Sequence, residues 1–339
     1  MTEANNKYFA AIDLGTNSCR LAIADVNKNY VYSDALSPRL GEGMYPEMKF
    51  TPEAIERGIQ CFYKLKQVMN QYDIVSSRAI ATASCRMAQN SEEFIKKVYD
   101  ESMIQIEVVD GFEEARLNLK GALEHVCGKT PYVVLYDLGG GSTEITLARN
   151  SKNPEILNTI SIPWGARNAS EAFDLIEYHP EKAQKLEQEI AGYVDGFVKD
   201  SKLEEKRSDL CFVATSSTPL RFVSMIHQFG KYDRDMADGH CIQCCDIDKQ
   251  IARIFTLKQP QMLEDEYIGK KRSFIFTAAS VIFKTIYDRL GAKELTASLK
   301  SAKDGILEEL IETYKKEHSP AQKVCPQLME KMIKYGKVD

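Results

Sequence analysis

"YDLGGGSTEI", residues 136–145, sets an aspartate, three glycines and a Ser-Thr-Glu at the end of an apolar strand-like run. "AIDLGTNSCRLAI", residues 11–23, states the same plan earlier: apolar strand, Asp-Leu-Gly, a small polar turn, apolar strand. A glycine turn between two strands leaves backbone N–H groups pointing outward, where they can cradle phosphate oxygens. One copy is an ordinary β-turn as readily as a phosphate loop, since Gly, Asn, Ser and Thr are common turn residues. Two copies, each opening an α/β half, argue for a pair of loops that clamp a phosphate chain from both sides of a cleft.

The surrounding pattern agrees. Residues 8–13 and 20–25 read as strands, and "YVYSDAL" (30–36) as a third. In 52–72, Ile55, Ile59, Phe62, Leu65 and Met69 make a helical stripe, with Thr51 as N-cap and Pro52 in the first turn. "AIATA" reads as a strand, 84–100 as one helix, 104–111 as a strand and 112–126 as a helix. Further helices are expected near 181–199, 246–257, 273–290 and 302–317, with polar connections at 203–209 and 230–239. The expected organisation is α/β and two-domain, 1–128 and 129–339.

The chain has 339 residues, 44% apolar and 27% charged, and a net charge of −5. No overall basic field draws in nucleic acid, so a polyanion must be met by local donors and metal. No run approaches the roughly 20 apolar residues of a membrane helix. The N-terminus is polar and enters a strand directly, and nine scattered cysteines suit reduced thiols. The cytoplasm is the expected compartment, with no membrane partner. "HCIQCC", His240 to Cys245, has zinc-ligand residue types but no second ligand pair at finger-like spacing; incidental thiols are the expectation.

The paired "DLGTNS" and "DLGGGST" resemble the phosphate loops of the actin, sugar-kinase and chaperone ATPase superfamily. Within it, "AIDLGTNSCRLAI", "RLGEGM" (39–44), "ATASCRMAQNSEEF" (81–94), "VVDGFEEARL" (108–117) and "YDLGGGSTEI" resemble the exopolyphosphatase/guanosine pentaphosphate phosphohydrolase (Ppx/GppA) family, and "WGARNASEAF" (164–173) a further stretch of it. The resemblance implies a two-lobed actin-like ATPase fold with an interdomain cleft. It implies removal of the terminal phosphate of inorganic polyphosphate. The alternatives are guanosine pentaphosphate as substrate, or a polyphosphate or alarmone sensor without chemistry.

It assigns Glu114 as the base that polarises water, while Glu113 is the outward neighbour. On the residues alone, both glutamates are equally helix-start acids favoured by the macrodipole. Arg86 is the candidate to grip phosphate. Gly15, Thr16, Asn17, Ser18, Gly139, Gly140, Gly141, Ser142 and Thr143 are the phosphate-binding candidates. An acid cannot bind phosphate directly, so Mg²⁺ (or Mn²⁺) is implied as a bridge. Asp137 and Glu144 are its expected ligands, and Asp13 acts through metal-bound water. Lys270–Arg272 is a charge run, read as a solvated face with a polyanion path as the rival. A homodimer is carried as an expectation.

The likeness weakens in the second half. "VATSSTPLRF" (213–222) has Ser217 where the family has glycine, and Phe274 stands in place of an aspartate. These departures speak against a nucleoside held through its base. The chain resembles the short form that lacks an added C-terminal phosphohydrolase domain.

Overall fold

The computed structural model describes residues 7–126 and 128–318. The ends of the two expected domains at 1–6 and 319–339, and Cys127, lie outside the described residues.

The first sheet holds β1 (Tyr8–Leu14), β2 (Cys19–Asp25), β3 (Tyr30–Leu36), β4 (Ile74–Ala81) and β5 (Ile106–Val108) in the order β3-β2-β1-β4-β5. β1, β2 and β3 form an antiparallel meander, and β4 and β5 run parallel to β1. The connections carry α1 (Pro52–Met69), α2 (Ala83–Met87), α3 (Ser91–Ser102) and α4 (Gly111–Ala122). The second sheet repeats the plan. Its strands are β6 (Tyr132–Leu138), β7 (Thr143–Arg149), β8 (Ile156–Ile162), β9 (Leu210–Thr215), β10 (Cys241–Gln243) and β11 (Glu294–Ser298). The order is β10-β11-β9-β6-β7-β8. Again the first three form a meander, and β9 runs parallel to β6. The later part of the chain carries the helices α5 (Ala166–Ala172), α6 (Pro180–Asp200), α7 (Ser217–Ile226), α8 (Arg234–Ala237), α9 (Cys244–Ile254), α10 (Gln259–Glu264), α11 (Phe276–Leu290) and α12 (Ala302–Glu317). This is an α/β architecture of two mixed sheets with helices around them. Among the described residues no helix is long and apolar enough to cross a membrane.

The stripe on α1 does what its spacing demands. Ile55, Phe62, Leu65 and Met69 are buried, and the Thr51 hydroxyl accepts from Ala54 N–H, capping the helix. The single helix expected over 84–100 is instead two, α2 and α3. The break follows from Asn90, whose carboxamide pairs with both backbone groups of Phe50 at 2.9 and 3.1 Å. A long-range pairing here outweighs local helix propensity. The polar connections also take local structure: 203–209 winds as a 3₁₀ turn and 230–239 contains α8.

Helix α12 lies in the sequence segment assigned above to the second domain, yet it packs on the first sheet. Ala302, Ile306, Leu307 and Ile311 share a core with Phe9, Ala22, Ile80 and Leu117. The crossing of α12 over α4 is close. A Cβ at Gly121 would run into the Ser301 carbonyl, and one at Gly305 into that of Leu117. Only glycine lets the two backbones approach so far.

Candidate active site

Each sheet projects one hairpin loop into a shared cavity. Residues 15–18 join β1 to β2, and 139–142 join β6 to β7. Their turns are closed the same way: Gly15 N–H donates to Ser18 O at 2.9 Å, and Gly139 N–H to Ser142 O at 3.0 Å. The loops touch, since a Cβ at Gly140 would lie 3.0 Å from Thr16 Cβ. From behind, the N–H groups of Ala166, Arg167 and Asn168 occupy the carbonyls of Gly139 and Gly140. The start of α5 thus holds the glycine loop in place through its carbonyls, while of the loop's N–H groups that of Gly139 closes the turn. Gly165 allows this approach; a Cβ there would sit 2.6 Å from the Gly140 carbonyl carbon.

The cavity is lined by Asp13, Gly15, Thr16, Asn17, Ser18, Glu114, Asp137 and Gly139–Ser142. All but one of the expected phosphate-binding residues are therefore brought together. Thr143 is the exception: it is fully buried and its hydroxyl donates to the Trp164 carbonyl at 2.8 Å. It shapes the loop and does not face the cavity. Two other polar groups are also partly committed. Ser142 Oγ donates to Glu144 at 2.7 Å, and the Asn17 carbonyl oxygen accepts two bonds from Arg167. Thr16 Oγ1 is buried and has no partner.

Helix α4 delivers the glutamates. Asp110 caps it by accepting from Glu113 N–H. Glu113 turns outward to Arg78 and Arg116 at 2.9 and 2.7 Å, which hold its carboxyl below the usual range. Glu114 turns inward. Arg86, on α2, donates to Glu114 Oε2 at 2.7 Å and to the Val109 carbonyl at 2.9 Å. The same guanidinium lies 3.6 Å from Glu144. Burial and the nearby Glu144 push the Glu114 carboxyl well above its ordinary value, against the pull of Arg86. Burial likewise lifts Glu144 to about 7 and Asp137 to about 6.

Charge separates the two hairpins. Opposite Asp13 on the neighbouring strand stands Arg20; opposite Asp137 stands Glu144. Arg20 donates to Asp13 at 2.9 Å, so the first pair is neutral. The second is an acid facing an acid. Glu144 accepts from Ser142 and Ser161 at Oε1, while its Oε2 is buried without a partner. Among the described residues no three His, Cys, Asp or Glu side chains gather to cage an ion. Mg²⁺ does not ask for that, as it keeps waters and takes one or two carboxylates plus substrate phosphates. The orphaned Oε2 and the raised carboxyls of the second hairpin fit such a cation. His240–Cys245 does not: His240 packs on His227 and Phe229, Cys244 is buried, and Cys241 and Cys245 are exposed.

Some residues of the site escape sequence reading. Arg20, Asn118, Ser216 and Arg272 also line the cavity. Arg20 was within reach: once the turn is placed at 15–18, pairing across the hairpin puts position 20 against 13. Asn118 follows Glu114 by one helical turn and so shares its face. The 270–272 run divides. Arg272 reaches the cavity, where burial and the charges of Arg221 and Arg20 pull it down to about 9, while Lys270 and Lys271 line an outer groove. The backbone conformation that favours glycine in the β9–α7 turn falls at Ser216, with φ +98°, one residue before Ser217.

Fold and site together define an α/β protein whose two sheets each send a glycine-bearing hairpin turn into one cavity. A model of the Ppx/GppA phosphatase family matches residues 22–314, and the chain belongs to that family. An exopolyphosphatase from Cytophaga hutchinsonii superposes with a TM-score of 0.79 at 21% identity, covering 90% of this chain and 98% of that one. The Ppx/GppA family member of Aquifex aeolicus gives 0.72 at 21% identity, covering 92% and 99%. These likenesses show the fold. A bifunctional 3-dehydroquinate synthase/phosphatase of Fusobacterium nucleatum subsp. nucleatum is 29% identical over 322 residues, 91% of this chain and 47% of that protein. The chain thus spans about half the length of this curated relative.

Proposed function

We propose that the cleft hydrolyses the terminal phosphoanhydride of inorganic polyphosphate and releases orthophosphate. The observation that carries this reading is Glu114, buried in the cavity wall and paired with Arg86 opposite two phosphate-type loops. A group that merely binds phosphate gains nothing from a buried carboxylate there.

In this reading the loop N–H groups and the Thr16 and Ser18 hydroxyls hold the terminal phosphate. Arg20 and Arg272 add positive charge to its oxygens. Mg²⁺ or Mn²⁺, held by Asp137 and Glu144, would offset negative charge on the phosphate chain. The oxygen of a water held at Glu114 attacks the terminal phosphorus. Its proton passes to the Glu114 carboxylate, whose raised proton affinity makes it a better base than a carboxylate in water. The bridging P–O bond breaks and the shortened chain leaves with the electron pair. Arg86 keeps the Glu114 carboxylate aimed at the water.

One observation favours a second substrate. Phe274 is 45% exposed in a groove of about 300 Å³ shared with Arg39, Arg167, Lys270 and Lys271 and with Glu42, which pairs with Arg39 at 3.2 Å, and Asn17 joins it to the cavity. An exposed ring among cations can stack a base while the cations hold phosphate, which suits guanosine pentaphosphate.

The test is orthophosphate release with Mg²⁺ from long-chain polyphosphate, guanosine pentaphosphate and ATP, by wild type and Glu114→Gln. The reading expects release from polyphosphate and a loss of about 10²–10⁴-fold in the variant, with polyphosphate still bound. Tight binding without release by wild type would make the protein a sensor.

A further inference from the structure

Asn118 is buried at 2% exposure in the cavity wall, on the α4 face that carries Glu114 one turn earlier. Its Nδ2 donates to Asp137 Oδ2 at 2.9 Å. Its Oδ1 accepts from Ala302 N–H at 2.7 Å. Ala302 is the first residue of α12, and its N–H has no partner within that helix. A backbone N–H can only donate, and a carboxylate can only accept. The carboxamide therefore has one orientation that satisfies both. The close α4–α12 crossing at Gly121 and Gly305 holds the donor from α12 in place.

From this we infer that Asn118 is a positioning residue. It fixes the Asp137 carboxylate in one rotamer, with Oδ2 occupied and the other oxygen presented to the cation, and it ties that geometry to the seat of α12. The inference rests on the reading of the second hairpin as the cation-holding side of the cleft. Hydrogen-bond partners of this kind orient metal ligands, and their loss typically weakens metal binding 10–100-fold.

The experiment is Mn²⁺ binding to the full chain, by calorimetry without phosphate, for wild type, Asn118→Ala and Ala302→Pro. Proline is tolerated at the first position of a helix; here it removes the N–H that Asn118 accepts from and sets its ring Cδ against Asn118 Oδ1, so the carboxamide must turn away from its seat. Circular dichroism and thermal melts report whether each variant folds. We expect Asn118→Ala to weaken Mn²⁺ binding about tenfold, and Ala302→Pro to weaken it in the same direction. Folded variants that bind Mn²⁺ like wild type would overturn the inference and leave the cation reading intact. Wild type that binds no Mn²⁺, also when the titration is repeated with inorganic phosphate present, would overturn both.

Discussion

The two hairpins share a backbone and differ in charge. In each, a four-residue turn closes from glycine to serine, and an aspartate stands one residue before the turn's leading Leu-Gly step. In the first hairpin an arginine faces the aspartate; in the second a glutamate does. The first is internally neutral and offers an extra guanidinium to the cavity. The second collects buried acid whose proton affinity is raised by burial. In the proposed reading, this repeated fold element serves as two poles, one for phosphate oxygens and one for metal. Glu114 and Arg86 come from outside both copies and stand between them.

This division can be broken most forcefully at Asp137. Asp137→Asn is expected to abolish measurable Mn²⁺ binding and to lower kcat/KM for polyphosphate by roughly 10²–10³-fold, the scale of losing one preorganised electrostatic group. Activity close to wild type would remove the metal pole.

The first hairpin predicts a smaller change of another kind. Arg20→Met removes a charged donor worth about 1.5–3 kcal/mol. That corresponds to a rise of about tenfold or more in KM, with Mn²⁺ binding kept. The unpaired Asp13 also costs the fold, by about 3 kcal/mol for a buried partner left alone. A loss of metal binding instead would mean that the poles are not separate.

The mildest test is the pH profile of the metal-free protein. Glu144 and Asp137 are raised to about 7 and about 6, above ordinary values of 4.5 and 3.8. A carboxyl raised on folding leaves stability intact below its unfolded value and takes it away as the pH climbs through the folded one. The melting temperature should therefore fall from about pH 4.5 to about pH 7.5, less steeply in Glu144→Gln and in wild type with Mg²⁺. Parallel curves for the variant and wild type would contradict this.

The contrast also marks what a sequence can and cannot announce. Both hairpins and the α1 stripe were legible because local periodicity and turn chemistry decide them, whereas Glu114 was singled out from Glu113 only by the family resemblance. The α2–α3 break was not, since Asn90 answers to Phe50, which is far away in the chain. Asn118 was hidden for the same reason, since an amide carries no local pattern and only its partners give it a role; the 270–272 run was seen, but not that Arg272 alone of the three reaches the cavity. Thr143 misled by adjacency. Strand alternation turns it away from the face that Ser142 and Glu144 serve. The seat of α12 on the first sheet depends on two glycines, Gly121 and Gly305, that no single stretch brings together.

The most direct measurement is the anomalous scattering of Mn²⁺ in crystals soaked with the ion and a short polyphosphate. The account predicts a peak at coordination distance from Asp137 or Glu144, on the side of the cavity away from Arg20. A peak on Asp13 alone, or a phosphate chain bound with no peak, would contradict the two-pole division of the cleft.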